Sequence, residues 1–150
     1  MSQKPNILVL CTGNSCRSQI AEGYLRHYAG DRFEVHSAGT DPKGEVHPVA
    51  VRVMAEDGLD ISQQSPKHLK QFLGQIPVRY LAIVCDGANE ECPRIWPGMH
   101  ERLFWPFADP AAFVGSGSDT LNEFRRVRDE IKQHILQWLE TEHATEGTPS

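Results

Sequence analysis

Asn6-Ile7-Leu8-Val9-Leu10-Cys11-Thr12-Gly13-Asn14-Ser15-Cys16-Arg17-Ser18-Gln19-Ile20-Ala21-Glu22 is the stretch on which the reading of this chain turns. Its apolar start predicts a buried strand over Asn6–Cys11, and its end predicts the first turns of a helix from Ser18. Between them Thr12-Gly13-Asn14-Ser15-Cys16 is a small polar loop whose Gly-Asn pair suits a tight turn. At a strand-to-helix junction the loop N–H groups and the positive helix end converge on one point, which suits a tetrahedral oxyanion. Arg17 adds a planar fork of donors that Lys cannot copy. The same field favours thiolate over thiol at Cys11, and the thiolate is the nucleophile. A buried structural Cys near a surface Arg would explain neither the Gly-Asn turn nor the strand–loop–helix context.

Outward from this junction the chain alternates strand and helix. A helix is predicted over Ser18–Ala29, with Ile20, Ala21, Tyr24, Leu25 and Tyr28 on one face and Gly30 as its stop. A strand over Phe33–Ala38 closes at Gly39. A second helix over Pro48–Asp57 turns Val49, Val53 and Met54 to the core and ends at Gly58. Leu59–Ser62 and Pro66–Leu73 are ambiguous, with a short helix expected in the latter. Tyr80-Leu81-Ala82-Ile83-Val84-Cys85 is a second clear buried strand, and a short strand is expected within Glu101–Trp105. Pro106 and Asp109-Pro110 impose loop conformation. The last helix is predicted from a capping box, Thr120-Leu121-Asn122-Glu123, and from Leu121, Phe124, Val127, Ile131, Ile135 and Trp138 at helical spacing. This alternation implies an α/β fold built on a parallel sheet with helices on both faces. Ligands bind such sheets beyond the strands' carboxyl ends, so Cys11 and Cys85 are expected on one sheet edge.

Composition narrows the function. One domain of 150 residues, with 39% hydrophobic and 23% charged residues, can bury a real core. A net charge of −5 argues against non-specific nucleic-acid binding, which needs a basic face. It leaves room for a small anion, because local dipoles outweigh overall charge at short range. No apolar run approaches the ~20 residues that span a bilayer. Met1-Ser2-Gln3-Lys4-Pro5 lacks the form of a signal peptide, so a cytoplasmic, reducing location is expected. There, four Cys are catalytic, redox-active or simply buried before they are a disulfide frame. The seven His show no metal-ligand spacing, and Trp96, Trp105 and Trp138 read as packing residues.

Cys85 and Cys92 enclose Asp86-Gly87-Ala88-Asn89-Glu90-Glu91, a polar, Gly-containing segment. Three readings stay open from the spacing: two unrelated thiols, half of a zinc site, or a redox pair. Zinc is disfavoured because structural sites take four N or S ligands, no CxxC occurs, and the nearest His is His100. A disulfide needs Cα atoms within ~7 Å, which this loop reaches only by contracting.

Val9–Gly23 resembles the signature of thioredoxin-coupled arsenate reductases, which share the fold of low-molecular-weight protein tyrosine phosphatases. The match continues through His36-Ser37-Ala38-Gly39-Thr40, Val84-Cys85, Cys92-Pro93 and Trp105-Pro106-Phe107-Ala108-Asp109-Pro110-Ala111, over about residues 6–140. The resemblance implies a single-domain three-layer fold over 1–140, a central parallel sheet flanked by helices, with 141–150 a mobile tail. It implies a monomer that binds neither nucleic acid nor membrane, reduces arsenate, and takes electrons from thioredoxin without a cofactor or metal. The alternative is a low-molecular-weight tyrosine phosphatase working through a phosphocysteine. Phosphatases of this fold lack the Cys85 and Cys92 equivalents and usually carry aromatic residues after the acid Asp-Pro, where this chain has Ala111 and Ala112.

The resemblance also implies roles. Cys11 attacks arsenate, while Thr12, Gly13, Asn14, Ser15, Cys16 and Arg17 hold the oxyanion. Ser18 hydrogen-bonds the Cys11 sulfur, and Asp109 is the general acid; without the resemblance, Asp109 reads as a turn former before Pro. Cys85 takes over the Cys11 sulfur, and Cys92 resolves that disulfide to leave Cys85–Cys92. Cys16 has a structural role, with pairing to Cys11 open under oxidative stress. Asn14, Glu22 and Ser37 match a potassium site of some members whose fourth, acidic ligand is replaced here by Lys67. This departure leaves two occupants open for the site near Asn14 and Glu22, a potassium ion or the Lys67 ammonium in the same electrostatic role.

Overall fold

The computed structural model describes residues 4–72, 74–84, 101–113 and 115–146. Strands β1 (Asn6–Cys11), β2 (Glu34–Gly39), β3 (Tyr80–Ile83) and β4 (Glu101–Phe104) form one parallel sheet in the order β2-β1-β3-β4. β1 is central, and Ile7, Leu8, Val9 and Leu10 are all fully buried, as expected of a parallel strand covered on both faces. The register sets Cys11 beside Gly39 and Leu10 beside both Ala38 and Ile83. Val84 continues the pairing through its N–H to the Leu10 carbonyl, so β1 and β3 end at the same sheet edge. Cys85, the next residue, lies outside the described residues, as do Cys92 and Trp96.

Helices α1 (Arg17–Ala29), α2 (Pro48–Glu56) and α3 (Gly117–Glu146) contact one another, and α1 also rests on β1 and β2. The parallel α/β fold inferred from the alternation of strands and helices is the one observed. The buried faces follow the predicted spacing: Ile20, Ala21, Tyr24 and Leu25 on α1, Val53 and Met54 on α2, and Phe124, Val127, Ile131 and Ile135 on α3. Gly58 ends α2 at φ +79°, a conformation that favours glycine. Trp105 and Trp138 pack in an aromatic cluster with Phe33, Tyr80 and His134, as packing residues.

Several local expectations are corrected. Tyr28 is 38% exposed, with its ring against His27 and Tyr24 and not in the core. α3 starts a turn before Thr120. Ser116 supplies its cap, with Oγ accepting from Asp119 N–H at 3.2 Å and its carbonyl from Thr120 N–H. The acidic Asp119 in the first turn favours this earlier start through the helix dipole. α3 runs on to Glu146. The short helix expected in Pro66–Leu73 is a 3₁₀ turn, Leu69–Gln71, capped by the His68 ring.

Candidate active site

The loop between β1 and α1 is held from outside by its carbonyls. Those of Cys11, Thr12, Gly13 and Ser15 accept from the backbone N–H groups of Thr40, Asp41, Lys43 and His47 in the loop after β2. The Asn14 carbonyl accepts from Gln19 Nε2, and that of Cys16 from Ile20 N–H. With every carbonyl from Cys11 to Cys16 engaged, the amide edge of the loop is the one presented to the cleft. Gly39 makes this clamp possible, because a Cβ there would lie 2.4 Å from the Thr12 carbonyl oxygen. Asn14 takes φ +50°, the left-handed conformation that Asn tolerates better than most residues.

The cleft, about 200 Å³, is lined by Cys11 through Arg17 together with Lys43, Asp109 and Ala111. Every residue predicted to hold the oxyanion therefore lines one space. The Cys11 thiol is buried at its base, with Sγ 3.1 Å from Asn14 N–H and 2.9 Å from Ser18 Oγ. The direction of the Ser18 hydroxyl follows from Asn14. The Asn14 side-chain amide donates to Ser18 Oγ at 2.7 Å and to Ser37 Oγ at 3.0 Å. Both hydroxyl protons are thereby turned away from Asn14: Ser18 donates to the sulfur, and Ser37 to the buried carboxylate of Glu22. Two donors on the sulfur favour its anionic form. Cys16 has the opposite environment, and burial pushes its thiol up to about 11. The two thiols of the loop therefore differ: the Cys11 sulfur has two hydrogen-bond partners, Asn14 N–H and Ser18 Oγ, whereas the Cys16 thiol is held protonated by burial.

Arg17 Nη1 donates to the Phe107 carbonyl at 3.1 Å, and Nη2 lies 3.6 Å from Asp109 Oδ2. Its Nε is buried with no hydrogen-bond partner among the described residues. Cys16, at the N-cap of α1, makes no side-chain cap, and no acidic residue stands in the first turn. A buried helix start without a cap and a buried guanidinium N–H without an acceptor both call for an anion from outside the chain. Asp109 is 40% exposed at the rim, and its Oδ1 accepts from Ala111 N–H. It is therefore both a turn former, capping the 3₁₀ turn Pro110–Ala112, and a carboxylate beside the cleft.

The residues matching a potassium site do not fit a metal ion. Asn14 Oδ1 accepts from the Lys67 backbone N–H, Ser37 Oγ accepts from Asn14, and the Glu22 oxygens take Ser37 and Arg26. The Lys67 ammonium does not stand in for the ion; it donates to the Ser65 carbonyl, and Lys67 joins the network through its backbone. Burial holds its pKa below the ordinary lysine value, against an opposing pull from Glu22. Among the described residues no three His, Cys, Asp or Glu cluster in a way that could hold a metal.

Four participants escaped sequence reasoning. Gln19 is fully buried and ties the Asn14 and Ser65 carbonyls together. A polar residue beside the apolar stripe of α1 was a readable signal for it. The Phe107 carbonyl and Lys43 carry no such signal, because only the fold brings them to the loop. His47 caps α2 through Nδ1, a role for which His is an uncommon choice.

A buried cysteine at a strand–helix junction, beneath a cleft lined by Arg17 and Lys43, is the arrangement of the class of cysteine-based oxyanion enzymes. The chain belongs to the low molecular weight phosphotyrosine protein phosphatase family, whose model matches residues 6–146. Within that family it is 44% identical over 138 residues to an arsenate reductase of Halalkalibacterium halodurans, covering 92% of this chain and 97% of the relative. The structure of an arsenate reductase in the phosphate binding state matches with a TM-score of 0.76 at 28% identity, over 91% of this chain and 98% of its own. A thioredoxin-dependent arsenate reductase of Corynebacterium glutamicum matches with a TM-score of 0.61 at 30% identity, over 91% of this chain and 64% of its own.

Proposed function

We propose that this protein reduces arsenate to arsenite through a relay over Cys11, Cys85 and Cys92, with thioredoxin as reductant. The observation that carries the chemistry is the Cys11 sulfur, held by two donors at the base of a cleft where Arg17 Nε has no acceptor among the described residues. Similarity over nearly the full chain to arsenate reductases, one of them thioredoxin-dependent, supports the reductase reading. Family membership alone is equally compatible with a phosphatase. The cleft wall argues against a phosphotyrosine ring, because Ala111 lines it after Asp109-Pro110.

In this scheme the Cys11 thiolate attacks arsenic, and an oxygen departs as water with a proton passed on by Asp109, whose carboxylate takes that proton up from the protonated arsenate or solvent as the substrate binds. Arg17 and the loop amides bind the remaining oxygens. Cys85 then attacks Cys11 Sγ. The S–As bond breaks, its electron pair stays on arsenic, and As(V) becomes As(III). Cys92 attacks Cys85, frees Cys11, and leaves a Cys85–Cys92 disulfide that thioredoxin reduces. The test is arsenate-dependent oxidation of reduced thioredoxin by the purified protein, with peptide mapping of the cysteines. Turnover with a Cys85–Cys92 linkage is expected, and Cys92→Ser should stall with Cys11–Cys85. Turnover that survives Cys85→Ser and Cys92→Ser would leave the phosphatase reading in its place.

A further inference from the structure

We propose that Lys43 is a second cation of the oxyanion site, which draws doubly charged tetrahedral oxyanions into the cleft and holds them against Arg17. The inference depends on the reading above only for the identity of the anion; the role itself concerns any such dianion.

Lys43 sits in the loop between β2 and α2, far from Cys11 in sequence, yet it lines the same cleft as Cys11, Arg17 and Asp109. Two contacts fix it there. Its backbone N–H donates to the Gly13 carbonyl at 2.9 Å. Its stem lies over Gly13: a Cβ at that position would stand 3.2 Å from Lys43 Cγ and 3.4 Å from Cε. The missing side chain of Gly13 therefore lets the lysine stem rest on the anion loop as far as Cε, with Lys43 part of the cleft wall. The charge is felt at the site, where Lys43 and Arg17 both oppose the burial-driven rise of the Cys16 thiol.

The charge balance of the cleft gives Lys43 its role. Asp109 stands 3.6 Å from Arg17 and answers part of its charge before any substrate arrives. The whole molecule carries −5, which repels an incoming anion at long range. Lys43 makes no ion pair among the described residues, so its charge is available to a ligand. Being exposed, it is screened by salt far more than buried Arg17 Nε. Attraction to a dianion is twice that to a monoanion at the same distance.

The test uses the intact protein and inorganic phosphate, with alkylation of Cys11 by iodoacetamide followed by mass spectrometry. Phosphate should protect Cys11 in the wild type. In Lys43→Gln the half-protecting concentration should rise about three- to tenfold at about 0.01 M salt, and the gap should narrow at about 0.3 M. Lys43→Arg should restore protection, and thermal melts should show that Lys43→Gln is folded. In arsenate turnover the loss should fall on KM rather than kcat. Equal half-protecting concentrations in wild type and Lys43→Gln would overturn the role of Lys43 and leave the enzyme reading intact. Phosphate protection that needs Lys43, in a protein that does not turn over arsenate, would uphold Lys43 and remove the reductase reading. A wild type that phosphate does not protect would overturn both.

Discussion

Two polar regions of the molecule use similar groups to opposite ends. Between α2 and α3, Glu56 pairs with Arg125 and Arg128, and Asp57 accepts from Lys132 and Tyr24. Each of these charges has found its counterpart on the chain, mostly in contact with solvent. In the Cys11 loop, Asn14, Ser18, Ser37 and Glu22 are buried, and their protons run in one fixed direction. Yet among the described residues Arg17 Nε and the start of α1 lack acceptors. The lesson is that a saturated polar network is structural, whereas a buried one that is rigid and short of acceptors is built for a ligand.

The contrast breaks most completely at the sulfur. Cys11→Ser should abolish arsenate reduction and any aryl-phosphate hydrolysis, by about 10⁴-fold or more, because a serine hydroxyl stays protonated where the thiol ionises. Steady-state assays on both substrates read this directly; activity within severalfold of wild type would remove Cys11 from the mechanism.

Arg17→Lys keeps the charge and loses the planar fork. Turnover should fall by about 10²–10³-fold while the melting temperature changes little, since Nε serves the ligand and not the fold. Unchanged kinetics would mean that the unpartnered Nε has no substrate to meet.

Asn14→Ala strikes the network itself. It strands the Lys67 N–H, releases the direction of the Ser18 hydroxyl, and places Ala at φ +50°. A stability loss of about 2–4 kcal/mol is expected by denaturant unfolding, together with a slower Cys11 alkylation rate at neutral pH. A variant as stable as wild type would show that the buried network is decorative.

The smallest effects should come from the exposed cluster. Glu56→Gln should lower the melting temperature by no more than about 2 °C and leave turnover alone. The pH dependence sharpens the point. Hydrogen bonds from Arg125 hold Glu56, and from Lys132 and Tyr24 hold Asp57, below the usual carboxylate range. A depressed folded pKa means stability present above the unfolded value and lost as pH falls through the folded one. The cluster should therefore contribute fully above about pH 4.5 and fade only in stronger acid, and added salt should weaken it at neutral pH.

How much was legible beforehand differs between elements for physical reasons. The strand β1, the loop and α1 were readable because apolar runs, turn residues and helical spacing are local properties. The cap of α3 was misplaced because Ser116 and Thr120 both begin a pattern with an acid three residues on. Which one starts the helix depends on how far α3 can extend against its neighbours. The lysine held open as an alternative to a potassium ion instead serves through its backbone, since side-chain direction depends on space that no spacing encodes.

By itself, then, the sequence determined the thiol at the strand end, the guanidinium after the loop and the parallel α/β frame, because these reside in one contiguous stretch and in hydrophobic periodicity; the serine beside the sulfur came only from the family resemblance. Only the tertiary structure decided which way the loop faces, with the carbonyls of Cys11, Thr12, Gly13 and Ser15 clamped by residues 40–47. It also decided the proton direction through Asn14, the Phe107 carbonyl on Arg17, and the arrival of Lys43 over Gly13. The physical reason is that hydrogen-bond direction and charge balance are set by groups distant in sequence that meet only when β1, β2 and the α2 entry pack together.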